Sequence, residues 1–130
     1  MRFTPIIGTL ILLSTLLLSC TPPSTFGSLD LDQWRKDKAG CDNKRIEMKD
    51  ALLTEKELLL GKSSNEIGKL FGSPDINQLG KRNQKMYIYF LEHGTQCGGT
   101  VQTSQAQKAV FRFNAVSLLT EINLQTEMPE

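Results

Sequence analysis

The stretch Leu60-Gly61-Lys62-Ser63-Ser64-Asn65-Glu66-Ile67-Gly68-Lys69-Leu70-Phe71-Gly72-Ser73-Pro74-Asp75 decides the fold. Ser63 and Glu66 stand at the spacing of a capping box. The hydroxyl at the N-cap bonds the third helical N–H, and the glutamate reaches back to the N-cap N–H. Ile67, Leu70 and Phe71 follow at the spacing of one helical face. Gly72 suits a helix end, and Pro74 prevents the helix from resuming.

Upstream, Lys44 to Leu60 reads as a longer helix. At 100° per residue, Ile46, Met48, Leu52, Leu53, Leu59 and Leu60 fall within an arc of roughly 160°. Lys44, Lys56 and Glu57 take the solvent side, and Gly61 follows the last turn. Leu29 to Ala39 reads as a short helix. Asp30 and Asp32 lie near its start and Arg35, Lys36 and Lys38 near its end, which suits the helix dipole. Gly40 interrupts it.

Downstream, Asp75 to Gln84 reads as a polar loop, with Lys81, Arg82 and Lys85 clustered near its end. Lys85 to Glu92 is rich in aromatic and β-favouring residues and is a strand. Met86, Ile88 and Phe90 share one face, and Tyr87, Tyr89 and Leu91 the other. Gly94 to Lys108 is too long for a simple hairpin connection and holds Cys97, so it is either functional or mobile. Ala109 to Phe113 is a second strand. Asn114-Ala115 is a turn, and Ser117 to Gln125 is a third strand with Leu118, Ile122 and Leu124 on one side. Helices followed by strands define an α+β class. The expectation is a two-layer ααβββ arrangement, N-terminal helices packed on a three-stranded antiparallel sheet. One domain spans 29–126.

The first residues read as an address. Arg2 supplies a positive start, and Ile6 to Leu18 is an apolar run. At thirteen residues it is shorter than the roughly 20 a membrane span needs. It matches the apolar core of a secretory signal peptide, residues 1–19. Leu17-Leu18-Ser19-Cys20 resembles a bacterial lipoprotein cleavage site, with Leu18 a mild departure from the usual small residue. That resemblance implies a fatty-acylated (palmitate-type) lipid anchor on Cys20. The other reading is an ordinary signal peptide with Cys20 as a bystander thiol. Residues 20–28, rich in Pro, Ser and Thr, read as a flexible tether. No acidic residue follows Cys20, which in lipoproteins of familiar Gram-negative type favours the outer membrane over inner-membrane retention.

With Cys20 set aside, Cys41 and Cys97 remain. In an exported chain two remaining cysteines suggest one disulfide; two free thiols are the other reading. Two cysteines and His93 do not complete a tetrahedral metal site, and no C-x-x-C redox motif occurs. His93 reads as a solvent-facing residue at a strand end.

The Leu60–Asp75 stretch resembles the segment G-x-[ST]-x-x-E-[IV]-x-x-L-[FL]-G-x-P of small outer-membrane lipoproteins of the SmpA/OmlA (BamE-like) kind. Tyr87 and Tyr89 match the Tyr-rich strand that follows in those proteins. Phe111-Arg112-Phe113-Asn114 resembles their F-x-F-[DN] turn into the last strand. The resemblance covers about Leu52 to Leu124. It implies an ααβββ fold, periplasmic exposure, outer-membrane attachment and a role in outer-membrane protein assembly. The longer first helical region, the Cys41/Cys97 pair and the Gln/Gly loop depart from it.

The chain of 130 residues carries 15 Lys+Arg against 14 Asp+Glu, a formal charge of +1, so no basic field for nucleic acid exists. No G-x-S-x-G motif and no second histidine support a catalytic triad, and the carboxylates are scattered. No enzyme, no cofactor, no metal and no small-molecule substrate is therefore expected. The candidate partner surface comprises Trp34, Tyr87, Tyr89, Lys81, Arg82 and Lys85. Trp34 is otherwise a core anchor, and the two tyrosines otherwise lie under a helix. The basic trio is otherwise a solvated loop or a contact for anionic headgroups. The expected function is a non-enzymatic scaffold or accessory subunit, bound to the membrane through Cys20 and to another envelope protein. The alternative is a binding or inhibitor module that recognises its target through the Gly94–Lys108 loop.

Overall fold

Local caps start two of the helices, and a buried carboxylate starts a third. A computed structural model describes residues 20–130; the expected signal peptide, 1–19, lies outside the described residues. In chain order the elements are β1 (Thr25–Phe26), β2 (Leu29–Asp30), α1 (Leu31–Lys36), α2 (Lys44–Glu47), α3 (Lys49–Leu59) and α4 (Ser64–Phe71). They continue with β3 (Ile76–Leu79), β4 (Lys85–Phe90), β5 (Lys108–Phe113) and β6 (Leu119–Gln125). Among the described residues no helix is long and apolar enough to cross a membrane.

The capping box of α4 forms as the sequence requires. Ser63 Oγ accepts from the Glu66 N–H at 3.2 Å, and the Glu66 carboxylate accepts from the Ser63 N–H at 2.8 Å. Asp30 caps α1 by accepting from the Gln33 N–H at 3.1 Å. The single helix expected over Lys44 to Leu60 is two helices. Met48, at φ −98° and ψ 6°, leaves helical geometry between α2 and α3. The buried Asp37 carboxylate accepts from the N–H groups of Asp42, Lys44 and Arg45 at 2.8–2.9 Å and so sets the start of α2.

The fold is α+β, and its main sheet is antiparallel in the order β3-β4-β5-β6. It has four strands where three were expected. Ile76–Leu79, read as polar loop, pairs with β4 from Ile76↔Ile88 to Leu79↔Lys85. A second sheet of two strands, β1 and β2, lies at the N-terminus. It takes up the end of the expected tether, from Thr25 to Ser28. Thr25 pairs with Asp30, and Ser28 donates to the Glu55 carboxylate from both its N–H and its hydroxyl.

The helices cover one face of the sheet. Trp34 of α1 and Phe71 of α4 meet Tyr89 and Phe111, with ring centroids 5.1–5.8 Å apart in mostly edge-to-face contacts, a favoured aromatic geometry. The alternation read from the sequence holds on β4. Tyr87, Tyr89 and Leu91 face this core, while Met86 and Ile88 join Val110, Ile76 and Met128 on the opposite face. On β6 the alternation fails. A bulge opposite Arg112 and Phe113 inserts Thr120, so Leu119 turns inward and Leu118 stays 37% exposed. A bulge reverses side-chain parity by one residue.

Gly40 seats the α1–α2 connection on the sheet. Its φ is +66°, and a Cβ there would stand 2.6 Å from the Phe90 carbonyl oxygen. Only glycine meets both demands.

Candidate functional site

Three polar constructions hang on this frame, and each takes residues from distant parts of the chain. The first is a buried ion pair beneath the helices. Arg45 is 2% exposed and donates to Asp75 Oδ2 at 2.7 Å. It also donates to the carbonyls of Trp34 at 2.9 Å and Phe90 at 3.1 Å, and lies 5.3 Å from the Trp34 ring centroid. Asp75 accepts in turn from the N–H groups of Phe90 and Ala39. Every partner is fixed by another element, so the pair locks α1, α2 and β4 together. A buried charge left without its partner is costly.

The second construction holds the Gly94–Lys108 loop. Cys41 and Cys97 form a disulfide with Cα atoms 5.9 Å apart. Gln96 donates to the carbonyls of Ala39 and Glu92 and accepts from the Ser104 hydroxyl. Lys108 is fully buried. Its ammonium donates to the carbonyls of Ser104, Ala106 and Thr126 and sits 5.3 Å from the Phe90 ring centroid. Burial pulls its pKa below the ordinary lysine value, and the Glu92 carboxylate opposes that shift. The base of the loop is therefore built, while Gly98, Gly99, Thr100, Gln102 and Thr103 are exposed at its tip.

The third is a groove of about 670 Å³ between α4 and the edge strand β3. Ser64, Asn65, Gly68 and Lys69 form the helical wall, Asn77 the strand wall, Ser73 and Pro74 one end, and Tyr87 of β4 the floor. A smaller hollow of about 300 Å³ adjoins it through Ser73 and Pro74 and is lined by Arg35, Lys38, Arg45 and Asp75.

The residues expected to form a partner surface do not come together. Trp34 and Tyr89 are fully buried in the aromatic core, so they are not surface residues. The Tyr89 hydroxyl donates to the Gly72 carbonyl at 2.8 Å, and burial pushes its pKa up. Trp34 Nε1 is the one buried side-chain polar atom without a partner among the described residues. Tyr87 is 9% exposed and reaches the groove. Lys81 and Arg82 are exposed and Lys85 half-buried at the β3–β4 connection, where Lys81 pairs with Glu130 at 3.0 Å. His93 is exposed, and its N–H donates to Asn43. Cys20 is exposed and unpaired by disulfide.

Sequence reading missed Asp37, Arg45, Asp75 and Lys108 as buried groups, and Ser64, Asn65 and Asn77 as lining a groove. No local pattern marks an acid or a lysine for burial, because its partners come from elsewhere in the chain. Asn77 was hidden by the missed strand. No protein-family model matches the chain, and no curated protein or solved structure is significantly similar to it.

Proposed function

We propose that this chain is a lipid-anchored envelope protein. Cys20 carries the lipid, the outer membrane receives it, and the domain faces the periplasm. There it works without catalysis or a cofactor, as a scaffold or accessory subunit in outer-membrane protein assembly or envelope integrity. The observation that carries this reading is the closeness of Cys20 to folded structure. The Pro23 carbonyl already accepts from Arg35 Nη2 at 3.0 Å, and the Ser24 carbonyl from the Leu31 N–H at 2.9 Å. Three residues span at most about 10 Å. A lipid on Cys20 thus holds α1 and its basic end against the bilayer surface rather than on a long leash. Two or more acyl chains suffice for stable anchoring. The Cys41–Cys97 disulfide fits an oxidising compartment.

In-cell crosslinking of the tagged chain beside its Cys20→Ser form tests the scaffold role. Recovery of β-barrel assembly components with the wild type, fading in the variant, supports it. Recovery of no envelope protein contradicts it.

A second reading draws on the Gly94–Lys108 loop. Its base is pinned by the disulfide, Gln96 and Lys108, and its tip is exposed. A rigid base with a free tip suits a binding or inhibitor module aimed at a single envelope or secreted protein. Replacing 98–103 with a short Gly/Ser link should spare folding and abolish that capture; unchanged capture removes this reading.

A further inference from the structure

The groove between α4 and β3 contains two hydroxyls that the fold itself leaves unused. Ser64 is 5% exposed and Tyr87 is 9% exposed, and both line the groove. The Ser64 N–H is spent on the Ser117 carbonyl. Neither hydroxyl makes a hydrogen bond with another described residue, whereas the neighbouring Tyr89 hydroxyl is bonded to Gly72. Neither hydroxyl is sealed from solvent, since the buried polar atom without a partner among the described residues is Trp34 Nε1. Two otherwise buried side chains thus open hydroxyls without a protein partner onto one hollow, where they can bond a ligand's polar groups.

The remaining lining identifies the chemistry. Asn65 on the helix and Asn77 on the strand face the same space, and each amide both donates and accepts. Among the described residues no carboxylate lines the groove, and Lys69 is the one cation that does. A polyanion would need several cations along its track. A docked protein would need an apolar centre with aromatic or arginine anchors. Here the apolar material is the Tyr87 ring at the floor, the Pro74 ring and the bare backbone of Gly68, and both walls are polar. The volume lies within the range of small-ligand sites.

We propose that this groove binds a short, hydroxyl-rich saccharide carrying no more than one negative charge. Tyr87, Ser64, Asn65 and Asn77 bond its hydroxyl and amide groups, and Lys69 pairs with its anionic group. This site is independent of the lipid anchor and of the crosslinking outcome above.

Gly68 supplies a clean test. A Cβ there meets nothing within 4 Å, so a longer side chain enters the groove and not the core. Glycine inside a helix is also less favourable than most residues. The intact purified chain is titrated with diacetylchitobiose, with the disaccharide of N-acetylglucosamine and N-acetylmuramic acid, and with an uncharged extended peptide of similar size. Backbone amide resonances report the binding. Both sugars should shift Lys69 and Asn77, the carboxylate-bearing one more tightly. Gly68→Gln should abolish the shifts while leaving the melting temperature unchanged or higher. Tyr87→Phe should weaken binding about tenfold, as loss of one hydrogen bond does. Lys69→Gln should bring the two sugars to equal affinity. Absence of sugar-induced shifts at millimolar concentration, shifts that survive Gly68→Gln, or stronger shifts with the peptide would each overturn the assignment.

Discussion

The α4 segment and the Gly94–Lys108 loop are of similar length and are held in opposite ways. The helix is fixed by bonds between residues three apart, Ser63 with Glu66, and by Gly72 and Pro74 at its end. The loop is fixed by a disulfide 56 residues apart in sequence, by Gln96 reaching Ala39, and by Lys108 reaching Thr126. The helix was therefore legible in the sequence; of the loop, the Cys41–Cys97 staple was legible from the cysteine count, while the contacts through Gln96 and Lys108 were not. Order that comes from near neighbours leaves a pattern; order that comes from distant partners leaves only composition.

The sharpest way to break this contrast is to remove the long-range staple. A Cys41→Ser/Cys97→Ser double variant should lose about 4 kcal/mol, the chain-entropy value for a loop of this length. Denaturant titration measures it. A loss below about 1 kcal/mol would show that the polar contacts hold the loop by themselves.

Lys108→Met comes next. It strands the Ser104, Ala106 and Thr126 carbonyls, and a loss of about 1–3 kcal/mol is expected for unmet buried acceptors. Amide exchange should quicken in the loop and remain slow in α4. Equal quickening in both would erase the distinction between them.

Ser63→Ala should cost about 1 kcal/mol, the usual value of an N-cap, with exchange quickening confined to the first turn of α4. The smallest effect concerns pH. The Ser63 N–H holds the Glu66 carboxyl below the ordinary glutamate value. Its contribution is complete above the unfolded-chain value and is lost as pH falls through the folded one. Glu66→Gln should flatten that part of the acid limb of the stability curve. An unchanged slope would mean that the carboxylate does not stabilise the cap.

The same rule sorts the rest of the molecule. The inward face of β4 was legible because Tyr87, Tyr89 and Leu91 alternate with Met86 and Ile88. The sequence left Trp34 open between a core anchor and a partner surface, and its full burial decides for the core. β3 was not, because Ile76 and Leu79 are its only apolar residues and Leu79 is exposed; pairing with β4 and packing against Met86 and Met128 hold it. The break at Met48 was hidden because Met48 lies on the apolar stripe of the Lys44–Leu60 pattern and no glycine or proline marks it. The tether looked flexible because its partners, Glu55 and Arg35, lie outside it. Of the candidate site, Tyr87 was visible as an aromatic on a strand. Ser64 was masked by its place beside the cap, and Asn77 by the missed strand.

The anchored-module assignment rests on Cys20, and one measurement addresses it directly: the intact mass of the protein recovered from the membrane fraction of its native host. The expected result is a chain that begins at Cys20, lacks 1–19 and carries acyl chains on that residue. A chain with an unmodified Cys20 thiol, recovered in the soluble fraction, contradicts it.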